Sequence, residues 1–583
     1  MLNNQRGQTL LTVMLVSLIF TVLGVTIVAG SLGGTKRTEI RIDDIELTAA
    51  AKKTLNEVIV QFRNKVTDQS QFKLTSVTNI ASINTKLNTV KTDLLKMTAT
   101  DGQANPLQIT DLSKSSEYGI DIDKYLTRAY EFSYTAKEGS RKKTVTKRIF
   151  LSPTPSFLNY AAGTGPNGEM FLNGASEFIG NIYTNKLSAS QEAQYVDASS
   201  KGTPKTASTR FPKLDGKAII RTSINGKTNL TNYSLLSSYF EEGSKAVFQR
   251  DTEDYIPVNF KNTLAQVLNE VGSVTAFTEG DFETEDSITN AISALVKPCN
   301  TKLLEWLFPP LLSNVTSNNG ICSNTLKVID DQLGNLEDIH SINKNLSQNI
   351  IYTEFNKTAL NKFKVLKNLQ PLTIQKSFEL ADKKWMIVNG DLDILASTKI
   401  PIRLSGNIFV TGNLTIKGNQ TDESGNSETI EDDDVLVDST IYVLGKTSIS
   451  NTNIKGIQGK QLVVMSNGDL SVSRINEFKD HDQIEPIDAF LYTDGAAELY
   501  GVGSIFKING GIFAENKLTI NAIRQNSVKR ATILTDFQNS DVQKGQTSRF
   551  KVTHNPSVLI DQLDALPRVD KYQVIMDDTL INR

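Results

Sequence analysis

Residues able to carry chemistry are few. The chain has 3 His (His340, His481, His554) and 2 Cys (Cys299, Cys322) in 583 residues. A structural zinc site takes about four Cys or His ligands at short spacing. Neither cysteine has a neighbouring His or a third Cys, so no metal and no cofactor is expected. G-x-S-x-G, H-E-x-x-H and P-loop patterns are absent. Lys479-Asp480-His481-Asp482 reads as a polar loop rather than a general base. The runs Glu431-Asp432-Asp433-Asp434 and Asp577-Asp578 could attract calcium, but neither follows EF-hand spacing, and solvated loops account for both. The expectation is a protein that is not an enzyme. A polysaccharide-active enzyme using paired carboxylates stays as a remote alternative.

Cys299 and Cys322 flank Trp306, Pro309 and Pro310. Outside the cytosol they are expected to form a disulfide closing a loop of about 24 residues, worth about 3 kcal/mol by chain entropy. Two separate buried thiols are the alternative. With 62 basic and 64 acidic residues the net charge is −2, which gives no reason to expect a nucleic-acid partner. Apolar residues make up 39% of the chain, enough for real cores, and the length suggests about three or four domains.

What must position this chemistry begins with an uncharged run. No charge lies between Arg6 and Lys36. The apolar stretch from Leu10 to Leu32 makes a helix about 35 Å long, enough to cross a bilayer with modest tilt. A cleaved secretory signal has a shorter apolar core, so a single membrane span over residues 8–35 is favoured, with the lipid bilayer as partner. Lys36, Arg37 and Arg41 on its far side mildly favour a cytoplasmic C-terminal side by the positive-inside rule. Long domains often cross regardless of such charges.

Arg6-Gly7-Gln8-Thr9-Leu10-Leu11 follows a short polar start. This junction resembles a type IV prepilin leader, and Asp44-Ile45-Glu46-Leu47-Thr48-Ala49-Ala50-Ala51 resembles the post-membrane helix of PilX-type minor pilin-like proteins. The resemblance covers about 60 residues. It implies cleavage by prepilin peptidase after Gly7, leaving Gln8 as the first mature residue, pilin-like subunits as partners, and a bulk that lies outside the cytoplasm. Pilins usually carry Glu at the fifth mature position, where this chain has Thr12. That departure favours a minor pilin or a role outside the filament. An unprocessed membrane-tethered scaffold or carbohydrate-binding surface protein is the second reading, with surface polysaccharide as its partner.

Beyond the membrane, Ile40, Ile42, Ile45, Leu47, Leu55, Val58, Ile59 and Phe62 recur at helical spacing, and Val77 to Leu95 form a second apolar face. Tyr130 to Leu151 reads as a β-hairpin turning at Glu138-Gly139-Ser140, its Arg and Lys residues guarding a strand edge. Further on, Gly390-Asp391-Leu392-Asp393-Ile394, Gly412-Asn413-Leu414-Thr415-Ile416 and Gly468-Asp469-Leu470-Ser471-Val472 echo one another, as do Gly180-Asn181-Ile182 and Gly406-Asn407-Ile408. The punctuation predicts stacked coils, with Ile441, Val443, Ile449, Leu499, Ile505, Ile508, Ile512, Leu518 and Ile520 inside; a β-sandwich has the same composition. Helical spacing around Leu264–Val271, Ile288–Leu295 and Val328–Leu333 predicts an inserted helical segment. The expected fold is therefore mainly β, right-handed β-solenoid-like, with an N-terminal transmembrane pilin-like helix and a helical insertion. The expected segments are a leader at 1–7, the transmembrane helix at 8–35, a helical stalk and hairpin at 36–152, a first solenoid segment at 153–240, the insertion at 241–380, and a second solenoid segment with a C-terminal cap at 381–583.

Overall fold

The computed structural model describes residues 5–74, 80–98, 105–123, 125–139, 141–195, 203–230, 236–250, 255–271, 277–296, 326–330, 349–356, 364–368, 370–380, 384–396, 401–418, 433–473, 486–502, 505–524, 527–530, 534–537, 548–561, 566–567, 569–576 and 580–582. The chain forms two units, Met1–Pro153 with Asp570–Arg583, and Thr154–Val569. The second unit is thus inserted into the first. The last residues, expected to follow the second β segment, instead complete the sheet of the first unit.

In unit 1, α1 (Gln5–Val66) is a helix of 62 residues, about 93 Å long. Its C-terminal part buries Ala51, Leu55, Val58, Ile59, Phe62 and Val66, a stripe at three- and four-residue spacing. α2 (Ile80–Thr98) buries Ile83, Leu87, Val90 and Leu94. Both stripes pack with an antiparallel sheet of β1 (Leu107–Asp111), β2 (Arg128–Glu138), β3 (Arg141–Ser152) and the segment Gln573–Met576. Leu580–Asn582 also pairs with β3. Glu138 lies opposite Arg141 at the hairpin end. Phe62 sits between Tyr130 and Phe132, ring centroids 5.8 and 5.1 Å away.

Three of the basic hairpin residues are paired. Arg141 meets Asp43, Lys143 Nζ lies 2.8 Å from Asp44, and Arg148 lies 2.7 Å from Glu117. Exposed pairs of this kind contribute little stability. They do fix the hairpin against the part of α1 just beyond its apolar run. Ile40, Ile42 and Ile45, expected on a packed face, are exposed.

In unit 2 most strands pair in parallel and in register. Leu392–Leu395 lies beside Leu414–Lys417, followed by Thr447–Ser450, Leu470–Ser473, Ala496–Gly501 and Lys517–Ala522. The Gly-Asp and Gly-Asn echoes have a direct cause. Asp391 Oδ1 accepts the Asn413 N–H (2.7 Å), Asn413 Oδ1 accepts the Lys446 N–H (2.9 Å), and Asp469 Oδ1 accepts the Ala496 N–H (3.0 Å). Each Asx side chain satisfies a corner amide 22, 33 or 27 residues later. A Cβ on Gly412 would collide with Asp391 Oδ1 and the Gly390 carbonyl, so the corner tolerates only glycine.

The right-handed β-solenoid-like fold is corrected by this topology. The strands close into a barrel-type circuit. Strands from the start of the unit join its last ones: Ala162–Thr164 pairs with Phe506–Ala514, Glu169–Gly174 with Lys517–Ala522, and Glu177–Ile179 with Phe550–His554. Echo spacing specifies which residues lie opposite one another between neighbours. It carries no information on where the two ends of the ladder meet. The mainly helical insertion is corrected too. Its described residues form two α-helices, Phe260–Val271 and Glu285–Val296, and a 3-10 turn at Glu279–Phe282, but also strands at Lys245–Arg250, Leu326–Asp330, Asn349–Asn356, Lys364–Leu366, Leu372–Ile374 and Phe378–Glu379. Val328 and Ile329 belong to a strand parallel to Asn349–Asn356. Short apolar runs do not distinguish strand from buried helix by periodicity.

The residues expected inside, Ile441, Val443, Ile449, Leu499, Ile505, Ile508, Ile512, Leu518 and Ile520, are all buried. A second apolar row runs on the opposite side of one strand series. Tyr183, Gly163, Phe513, Tyr492, Met465, Tyr442, Phe409 and Ile387 occupy successive register positions. The helix Phe260–Val271 lies along this row. Phe260 stacks on Tyr492 (5.9 Å), and at the other end the Val271 carbonyl accepts from Asn349 Nδ2 (3.1 Å), whose Oδ1 accepts the Trp385 N–H (3.0 Å). Twelve helical residues reach about 17 Å, and the four strand steps from Tyr492 to Ile387 span about 19 Å.

Candidate functional site

The first functional element is the N-terminal part of α1. Leu10, Leu11, Val13, Met14, Leu15, Val16, Leu18, Ile19 and Phe20 are all exposed, as are Val22 to Leu32. An apolar surface this continuous is not compatible with water around it. The helix is long and apolar enough to cross a membrane. Its hydroxyls are accommodated by bonds to the preceding turn: Thr21 Oγ1 donates to the Ser17 carbonyl (2.8 Å) and Thr26 Oγ1 to the Val22 carbonyl (2.7 Å). Thr12 is exposed on the same helix. Gly7 and Gln8 lie within α1, and their side chains are outside the described residues.

The second element is a cluster of acids and tyrosines in unit 2. Asp494 and Glu515 each follow the end of a strand, Ile487–Thr493 and Phe506–Ala514, whose partners place Thr493 opposite Ala514. The two carboxylates therefore sit at equivalent places on adjacent strands. Tyr492 Oη lies 2.6 Å from Asp494 Oδ1 and 3.3 Å from Glu515 Oε2, and Tyr255 Oη lies 3.2 Å from Glu515 Oε2. The aromatic row surrounds them, with Tyr255 stacked on Phe513 (5.8 Å) and Tyr183 (5.2 Å). Gly165 leaves the space that the Glu515 carboxylate occupies, and its N–H donates to the Glu515 carbonyl (3.0 Å).

Burial pushes Glu515 up to about 7, against the hydrogen bond from Tyr255, and Asp494 adds a like charge. Burial pushes Asp494 up to about 6, with the Tyr492 hydroxyl opposing. Desolvation, then the neighbouring carboxylates, drives both Tyr255 and Tyr492 well above the usual phenol range. Among the described residues, no ammonium or guanidinium pairs with either acid. Tyr492 has one proton and gives it to Asp494, the shorter contact. Tyr255 supplies Glu515. The Glu515–Tyr492 contact becomes a hydrogen bond only when Glu515 itself carries a proton. The cluster can therefore store or release a proton near neutrality. Its half-buried carboxylates are covered by Tyr255 and the Thr164–Gly168 turn.

Sequence reasoning passed over Asp494, Glu515, Tyr255 and Tyr492. Tyr255 and Glu515 stand 260 residues apart. A usable signal was present, an acid directly after a Tyr- or Phe-bearing strand, repeated once 21 residues later, as Tyr492-Thr493-Asp494 and Phe513-Ala514-Glu515. Cys299, Cys322, His340, His481, Glu431, Asp432, Asp577 and Asp578 all lie outside the described residues. Asp434, from the acidic run, is in a strand and pairs with Lys455 at 2.9 Å. The third histidine, His554, lies with Nε2 3.0 Å from the Leu158 carbonyl, and burial holds it below its ordinary value. No group of three or more His, Cys, Asp or Glu placed to hold a metal occurs among the described residues.

No family model matches the chain, and no curated protein does. Among solved structures, the competence-associated pilin ComZ from Thermus thermophilus superposes over 88% of this chain and 98% of its own, at 11% identity and a TM-score of 0.27. A superposition this loose carries no argument about fold or function.

Proposed function

We propose that this chain is a single-pass membrane protein of the minor-pilin-like kind, with a role in pilus assembly or surface adhesion. Unit 2 is the body it displays outside the cytoplasm. One observation carries the reading: in α1 the first half is apolar and exposed while the second half is the core of a helix-on-sheet unit. Such a helix offers its free half to lipid or to like helices and its packed half to a folded head. Prepilin peptidase would cut between Gly7 and Gln8, removing the Arg6 charge, and other pilin-like subunits would be the partners. The test is N-terminal sequencing and intact mass of the membrane-extracted protein from cells with active prepilin peptidase. A mature chain beginning at Gln8 is expected. A chain still carrying Met1-to-Gly7 refutes the processing step.

Thr12 at the usual glutamate position favours a second reading, an unprocessed membrane-tethered scaffold or carbohydrate-binding protein. Co-purification with pilin subunits would exclude it. No catalytic role is assigned, and neither a nucleic-acid partner nor a cofactor is invoked.

A further inference from the structure

We propose that Glu515 is the latch of a pH-dependent cover over the aromatic row of unit 2, and that the cover is the strap of residues 255–259. The strap lies across the row. Tyr255 stacks on Tyr183 and Phe513 at interplanar angles of 21° and 12°, Ile256 and Val258 are buried, and Phe260 continues onto Tyr492. Its backbone is tied by two bonds to one residue: the Ile256 N–H donates to Ser156 Oγ (2.9 Å), and the Ser156 N–H donates to the Ile256 carbonyl (3.0 Å). Its side-chain tie is the Tyr255 hydroxyl on Glu515.

Three elements cover the Glu515 carboxylate, and they differ in how firmly they are held. The strand that bears Tyr492 and ends just before Asp494 is locked by parallel pairing on both sides, to Leu462–Ser466 and to Phe506–Ala514. The turn at Gly165 is bonded to the Glu515 carbonyl and closes on itself, the Gly168 N–H donating to the Gly165 carbonyl (2.9 Å). Among the described residues the strap has no strand partner. When Glu515 is protonated it donates to Tyr492 and accepts from Tyr255, so all three hydroxyl-bearing groups are satisfied. When it ionises beside Asp494, Tyr492 has no second proton to give, and the new charge needs water. The strap is the cover that can yield.

The other charged groups around the cluster are engaged elsewhere. Lys186 pairs with Glu169 (2.7 Å), Lys517 lies over the Phe171 ring (5.0 Å), and Arg221 donates to the Pro166 carbonyl (3.0 Å). His554 faces the Leu158 carbonyl, and Tyr160 stacks on Tyr183 (5.1 Å). None supplies Glu515 with a compensating positive charge.

The test is hydrogen exchange with mass spectrometry on the full chain in detergent micelles, corrected for intrinsic exchange at each pH. Protection of residues 255–259 should fall about tenfold or more between pH 5 and pH 8, while Leu414–Lys417 stays constant. In Glu515→Gln the strap should remain protected across the range. A strap equally protected at both pH values in the wild type, or an unchanged fall in Glu515→Gln, overturns the proposal. Asp494→Asn is the second variant: it removes the like charge that raises Glu515 and holds the Tyr492 proton less tightly, so the fall should persist with its midpoint moved to lower pH, and a midpoint moved to higher pH would contradict the proposal. Abolition of the fall in Asp494→Asn, or an unmoved midpoint, would identify another group and overturn the assignment to Glu515.

Discussion

Phe62→Ala tests the architecture of unit 1 most directly. Phe62 is fully buried, and its ring contacts Tyr130 edge-on and Phe132 at a tilt. Truncating a buried phenylalanine costs about 3–5 kcal/mol through lost transfer energy and the cavity left behind. Each aromatic pair contributes about 0.5–1.5 kcal/mol beyond area, which places this site toward the upper end of that range. Native domains are stable by about 5–15 kcal/mol, so the variant should leave unit 1 marginal. The assay is hydrogen exchange of the full chain in detergent, read at Ile80–Thr98 and Arg128–Glu138. At about 1.4 kcal/mol per decade, protection there should fall by about two to three decades or more. Phe62→Leu leaves a smaller cavity and should cost less than Phe62→Ala, though both aromatic contacts are lost. A fall smaller than tenfold in Phe62→Ala would refute the assignment of the second half of α1 to this core.

Further outcomes follow from single contacts. Tyr572 is buried and donates to the Leu126 carbonyl at 3.1 Å, so Tyr572→Phe should destabilise unit 1 by about 0.5–1.5 kcal/mol in chemical denaturation. Deleting Asp570–Arg583 should do far more, since it removes the strand partners of β3; a unit 1 unchanged by the deletion would contradict the sheet order. Gly412→Ala should lower the melting transition of unit 2 by an amount equivalent to about 1–3 kcal/mol, because the new methyl meets Asp391 and the Gly390 carbonyl. The acid cluster gives stability a defined pH dependence. Glu515 rises from 4.5 to about 7 and Asp494 from 3.8 to about 6 on folding, so the folded state binds more protons between those values. The cluster's contribution to the stability of unit 2 should therefore be fully present below about pH 4 and lost as pH rises through about 6 to 7. A melting profile whose cluster-dependent part, wild type minus Glu515→Gln, rises over that window would show the sign to be wrong.

Features of short range were legible in the chain. The uncharged run to Lys36 specified an exposed apolar helix, because nothing else in an aqueous fold accepts so many consecutive apolar residues. The Gly-Asx echoes marked corners, because Asp391, Asn413 and Asp469 cap amides at the equivalent place on a neighbouring strand. Alternation at Tyr130, Phe132 and Tyr134 marked β2, since one face meets α1 and the other does not. Only the tertiary structure decided the rest. Arg128, fully buried, is held by the Tyr125, Thr127 and Ile122 carbonyls and by Asn84. No local pattern distinguishes it from Arg141 and Arg148 of the same hairpin. The return of Gln573–Met576 to β3 and the joining of Ala162–Thr164 to Phe506–Ala514 link segments hundreds of residues apart, and the proton shared around Tyr492 exists only once those strands lie side by side. Periodicity encodes which face of an element is apolar; it does not encode which distant element will cover that face.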